Sequence, residues 1–212
     1  EVLFFEMKTT IREEIDHLIE NLDLKRLKFG EVHPKVALDL NNIGNVHFSR
    51  GNLESSVDAY KEALHVYRRA MGKNHCTGIA VTLNNLGNVY WKMGKFDTAS
   101  KRLKKALKIR INHFGIYHPD VADTIHNIGI VDFLMHDFDM AMQEFHRALS
   151  IRLEVLGEDH VDVARTIQMI GNVHLVKGDI DAAMGKYKDA MEIKIDALGT
   201  SYHQSVADTF IA

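Results

Sequence analysis

From Thr10 to Lys28 apolar residues fall at Ile11, Ile15, Leu18, Ile19 and Leu22, the spacing that gives an α-helix one apolar face. The same stripe returns at Phe96, Ala99, Leu103, Ala106 and Leu107, with Arg110 continuing it. Short polar breaks interrupt the pattern at Arg50-Gly51-Asn52, Met93-Gly94-Lys95, His136-Asp137 and Lys177-Gly178-Asp179. Longer segments close on Gly30, Gly72, Gly115, Gly157 and Gly199, each placed to turn left-handed just past a helix C-terminus. Three or four residues later stand His33, His75, His118, His160 and His203, read as hydrogen-bonding residues of a turn. Pro34 and Pro119 follow two of them and suit the first turn of a helix, where no N–H is needed.

The pattern predicts helix pairs. First helices are expected over 34–49, 77–92, 119–135 and 161–176, and second helices over 53–70, 96–113, 138–156 and 180–198. Each break is short enough to make the two helices of a pair antiparallel neighbours. Residues 10–29 read as the second helix of a pair whose first helix is missing or degenerate. Residues 1–10 fit no element, although Phe4 and Phe5 are apolar enough to pack. Val206-Ala207-Asp208-Thr209-Phe210 matches Val121-Ala122-Asp123-Thr124-Ile125 and opens a fifth first helix.

Inside the first helices one octapeptide recurs. Leu83-Asn84-Asn85-Leu86-Gly87-Asn88-Val89-Tyr90 corresponds to the segments starting at Leu40, Ile125 and Ile167, with glycines at 44, 87, 129 and 171. A period of 42 to 43 residues is the mark of a solenoid, whose repeats stack on their neighbours. The expected units are 1–29, 30–72, 73–115, 116–157, 158–199 and 200–212, the first and last being partial repeats. Each glycine inside a helix costs about 1 kcal/mol relative to alanine. Four at a fixed period therefore point to close helix–helix approach.

Composition narrows the function. The apolar share of 46% is enough for a continuous core, and 2 prolines with 14 glycines are too few for a loop-rich chain. A formal charge of −3 offers no footprint for nucleic acid. A single cysteine, Cys76, leaves no internal disulfide and fits a reducing, intracellular and cytoplasmic setting. No apolar run is long enough to span a membrane. The chain opens on Glu1 and stops within a recognisable repeat, so it is expected to be an excerpt of a longer protein.

The quoted residues resemble a tetratricopeptide repeat. Its small residue on the first helix is supplied by Gly44, Gly87, Gly129 and Gly171. Its small, large and alanine positions on the second helix are Ser56/Tyr60/Ala63, Ala99/Leu103/Ala106, Ala141/Phe145/Ala148 and Ala183/Tyr187/Ala190. The long repeat and the linker His118-Pro119-Asp120-Val121-Ala122 are similar to the kinesin light chain subtype. Leu40, Leu83, Ile125 and Ile167 replace the family's usual tryptophan. The large aromatic three positions after the glycine survives as Tyr90 alone, with His47, Asp132 and His174 elsewhere; Asp132 leaves the packing of its repeat open. The resemblance implies an all-α, right-handed superhelical solenoid of antiparallel helix pairs. It also implies a non-enzymatic scaffold without cofactor, taking a protein or peptide in its concave groove, cargo- or adaptor-like as in kinesin light chains.

Positions three before and one after each glycine share one side of the first helix. They hold Asn41 and Asn45, Asn84 and Asn88, His126 and Ile130, Gln168 and Asn172. By the resemblance that side lines the groove, with Asn42, Asn85 and Asn127 beside it. Amides both donate and accept, so a ladder of them can hold an extended peptide backbone. The alternative is that they only brace neighbouring repeats. Phe48, Trp91 and Phe133, one turn on, are expected to line or rim the groove as anchors. Lys92 and Arg165 are the two cations placed there, too few for a strong carboxylate clamp.

No phosphate-binding glycine loop, nucleophile elbow or carboxylate pair is present. The 13 histidines show no zinc-type i, i+4 pair, and Cys76 lacks an orienting group for catalysis. Glu158, Asp159 and the run Lys101-Arg102-Leu103-Lys104-Lys105 read as solvated faces. An acidic partner or a membrane surface is the alternative use of the basic run. The competing class of function is a spacer or assembly subunit associating through its outer face or open ends, or a regulatory domain of a larger enzyme.

Overall fold

The computed structural model describes residues 2–71 and 76–198, with side chains from Ile15 to Ala70 and from Thr77 to Ala197. The expected fifth first helix from Val206, the linker at 72–75 with His75, the side chains of Phe4 and Phe5 and the thiol of Cys76 lie outside the described residues.

Among the described residues the secondary structure is entirely helical, in nine helices. They are α1 (Val2–Phe29), α2 (Pro34–Ser49), α3 (Leu53–Met71), α4 (Cys76–Lys92), α5 (Phe96–Phe114), α6 (Pro119–Leu134), α7 (Phe138–Leu156), α8 (Val161–Val176) and α9 (Ile180–Leu198). From α2 onward every boundary falls within one residue of the sequence pattern. The difference is α1, which starts at Val2 and not near Thr10. No glycine or proline between Val2 and Thr10 stops a helix there, so it runs on through a stretch without regular periodicity.

Histidine caps explain the helix starts. The Nδ1 atoms of His33, His118 and His160 accept the amides of Lys35 (3.2 Å), Asp120 (3.1 Å) and Asp162 (3.1 Å). Each ring thereby satisfies one of the open N–H groups at a helix N-terminus. Phe114 stacks on His118 with ring centres 3.9 Å apart, so the end of one helix holds the cap of the next.

The first helices share one ending. The amides of Asn52, Lys95, Asp137 and Asp179 reach back to the carbonyls of His47, Tyr90, Asp132 and His174 at 2.9 to 3.0 Å. The residue before each amide is left-handed, a Schellman arrangement. Three of these residues are glycines, and the fourth is His136 with φ of 63°. The closing bond uses the backbone of the position where the family pattern wants an aromatic. Asp132 therefore closes its turn as Tyr90 does.

The chain groups into two compact units, residues 1–109 and 110–212. In the first, Leu22 of α1 packs into a core of Val36, Ala37, Leu40, Ile43, Ala59, Ala63, Val66 and Tyr67. In the second, Ala141, Phe145, Ile170 and Val173 form a core with Phe133, Phe138 and Met142 against it. The recurrent glycines are where the paired helices meet. A methyl group on Gly44 would stand 2.5 Å from the Tyr60 ring, and one on Gly87 2.6 Å from Leu103. Gly129 lies similarly close to Phe145, and Gly171 to Tyr187.

Candidate interaction face

The exposed side of each first helix is set by what its other sides must bury. On α2 and α4 the core takes Leu40, Ile43, Leu83 and Leu86. On α2, α4 and α6 the position three before the glycine turns inward with them. Asn41 is 4% exposed, and its Nδ2 donates to Thr82 Oγ1 on α4 over 2.9 Å. Asn84 is buried as well, at 8%. His126 is 2% exposed, with Nδ1 3.4 Å from an Arg152 guanidinium nitrogen and 3.5 Å from Thr166 Oγ1. Burial, reinforced by the Arg152 and Arg165 charges, holds the His126 ring well below the usual histidine range, so it is neutral. Gln168 is half-buried and accepts from Lys194 Nζ at 2.7 Å.

The position one after the glycine lies further out, exposed at Asn45 and half-buried at Asn88, Ile130 and Asn172. Asn45 is exposed, and its Oδ1 receives both the Tyr60 hydroxyl at 2.6 Å and Asn85 Nδ2 at 3.2 Å. One amide is thus fixed by donors from α3 and α4 together. Asn172 is held alike by the Tyr187 hydroxyl at 2.8 Å, and Asn88 is half-buried. Of the neighbouring set, Asn42 is exposed and Asn85 and Asn127 are half-buried.

Phe48, Trp91 and Lys92 come together in the first unit. The exposed Lys92 ammonium lies 5.1 Å from the Phe48 ring centre and 5.8 Å from that of Trp91, within cation–π range. In the second unit Phe133 is half-buried against Phe138, with centres 5.5 Å apart. Arg165 is exposed and tied to Asp162 at 2.7 Å.

Two features escaped the sequence reading. Tyr60 and Tyr187 hold Asn45 and Asn172 from the second helix of their pairs, whereas Leu103 stands at that position opposite Asn88, whose Oδ1 is buried without a hydrogen-bond partner among the described residues. Arg110 and Arg152 are interior cations. Arg110 donates to the Asp120 carbonyl and to Thr124 Oγ1, both at 2.6 Å. Arg152 donates to the Asp162 carbonyl at 2.8 Å and to Thr166 Oγ1, and meets Asp123 at 2.5 Å. Tyr67 occupies the matching place in α3, and its ring fills the space a Gly78 side chain would need.

Among the described residues no three histidine, cysteine or acidic side chains gather as a metal site requires. No described helix is long and apolar enough to cross a membrane.

The family described as tetratricopeptide repeat matches residues 36–112, 78–145 and 120–196. No curated protein matches the sequence. Among solved structures, BtubC (BKLC) from P. vanneervenii is similar at a TM-score of 0.77 and 21% identity, over 93% of this chain and 78% of that one. A kinesin light chain-like protein of nearly identical TPR-like repeats from Podosopora anserina is similar at 0.70 and 12% identity, over 91% and 90%. A single-substitution variant of that protein gives 0.72 and 12%, over 92% of each chain. At these identities the likeness carries the fold alone, an all-α solenoid of helix pairs.

Proposed function

Because this chain belongs to the tetratricopeptide repeat family, whose repeats are generally non-catalytic and serve protein interaction, we propose that it holds a peptide segment along the exposed side of its first helices. The observation that carries this reading is the doubly anchored Asn45 amide beside Phe48, Trp91 and Lys92. With its oxygen already occupied, Asn45 presents Nδ2 outward as a donor, and Asn85 keeps its oxygen as an acceptor. A donor and an acceptor fixed side by side suit a peptide backbone. The half-buried rings of Phe48 and Trp91 offer an apolar anchor next to them. An adaptor role of the kinesin light chain kind follows from this reading.

A peptide array probed with the protein tests it. Sequences retained by the wild type should be lost by Asn85→Ala combined with Trp91→Ala, at unchanged helicity. If the doubly substituted protein retains the same sequences equally well, the face is not the site.

Assembly through the repeat end is the second reading. Val176, Ile180 and Met184 are exposed at 48%, 62% and 63%, whereas Phe138 and Met142, which match Ile180 and Met184 one repeat earlier, pack against the core. Sedimentation of Ile180→Ser, Met184→Ser beside the wild type separates the readings, since only an assembly surface changes the mass.

A further inference from the structure

We propose that the outer face of α5 is a second docking surface, for an acidic polypeptide segment. Lys101, Lys104, Lys105 and Lys108 follow the i, i+3, i+4, i+7 spacing and so lie along one side of the helix. All four are exposed, and none has an ion pair or hydrogen bond to the described residues. Like charges three and four apart on a helix repel, so the stripe works against helix stability.

The repeat supplies its own control. The matching positions are Asp58, Lys61, Glu62 and His65 in α3, then Gln143, His146, Arg147 and Ser150 in α7, then Gly185, Lys188, Asp189 and Glu192 in α9. Those helices use mixed or neutral side chains there. Their cations find intrahelical partners, as in Lys61 with Asp58, Arg147 with Glu144 and Lys188 with Glu192. The fold therefore has no need of lysine at these four places, and α5 alone among these helices carries four.

The chemistry of the face selects the occupant. Of the apolar residues within the stripe, Leu103 and Ala106 are fully buried and Leu107 is half-buried, so no exposed apolar side chain stands ready to insert into a lipid layer. No aromatic residue lies between Lys101 and Lys108 for a base to stack on, and the chain's formal charge is −3. The stripe is about 10 Å long, the reach of about four residues of extended chain. A short acidic run matches it in length and charge.

Fluorescein-labelled deca-glutamate, followed by anisotropy at low ionic strength, is the probe. Wild-type protein should bind it, and binding should weaken steeply between about 50 and about 200 mM salt. Lys→Gln at 101, 104, 105 and 108 together should weaken it about tenfold or more, while Lys→Arg at the same positions should retain it. A control replacing Lys61, Arg68, Arg69 and Lys188 by Gln removes equal charge elsewhere and should stay within about twofold of wild type. The proposal is overturned if the wild type does not bind deca-glutamate or if the control loses as much as the stripe variant. It is equally overturned if phosphatidylserine vesicles or a poly-uridine oligomer bind more tightly than the peptide.

Discussion

Tyr60 donates its hydroxyl proton to Asn45 Oδ1 over 2.6 Å, from a ring that also fills the space beside Gly44. Burial pushes the phenol up to about 12, so the donor keeps its proton throughout the physiological range. Helix packing and the anchoring of the Asn45 amide therefore meet in one side chain. Tyr60→Phe keeps the ring and removes the donor. It should lower stability by about 1 kcal/mol in urea unfolding and weaken an array-selected peptide several-fold.

Two glycine substitutions should move stability in opposite directions. Gly44→Ala gains about 1 kcal/mol of helix propensity but forces a methyl group against the Tyr60 ring, for a net loss of about 1–3 kcal/mol. Gly185→Ala, exposed in α9 with nothing within 4 Å of its new methyl group, should gain up to about 1 kcal/mol. Equal effects at the two sites would contradict the packing role assigned to Gly44.

Acid should loosen the second unit through His126. The ring is packed against Arg152 of α7 and Thr166 of α8, with the charges of Arg165 and of the Arg152-bound Asp123 nearby. Its folded value lies below the ordinary 6.5, so the unfolded chain binds the extra proton. This contribution to stability is complete above about pH 6.5 and is lost as pH falls below it, by at most about 1.4 kcal/mol per pH unit for one proton. His126→Gln should flatten the stability profile between about pH 6.5 and the folded value. An unchanged slope would assign the acid sensitivity to other groups.

The repeat was legible because glycines 44, 87, 129 and 171 and the linker histidines recur at fixed distance, and each has a local cause: a close approach or a helix cap. The interaction face was only half legible. Asn41 and Asn45 lie about 40° apart around α2, and the edge of the buried side runs between them. What draws Asn41 inward is Thr82, 41 residues away, which no local pattern reveals. Arg110 continues an apolar stripe in the sequence, and Arg152 stands one repeat later, while their partners, Thr124 and Thr166, belong to the next pair of helices. The lysines of α5 were visible as a run, but their lack of partners required the structure.

The central claim concerns the exposed side of the first helices, and Trp91, the single tryptophan of the chain, lies on it half-buried. The most direct measurement is its emission during titration with an array-selected peptide. The account predicts a saturable spectral shift that disappears with Asn45→Ala plus Asn85→Ala, which should weaken binding by about 1 kcal/mol per lost hydrogen bond while the protein stays folded, its stability lowered by about 1–2 kcal/mol because the Tyr60 hydroxyl loses its acceptor. A peptide that saturates the protein without changing Trp91 emission, or whose affinity is untouched by losing both amides, would contradict it.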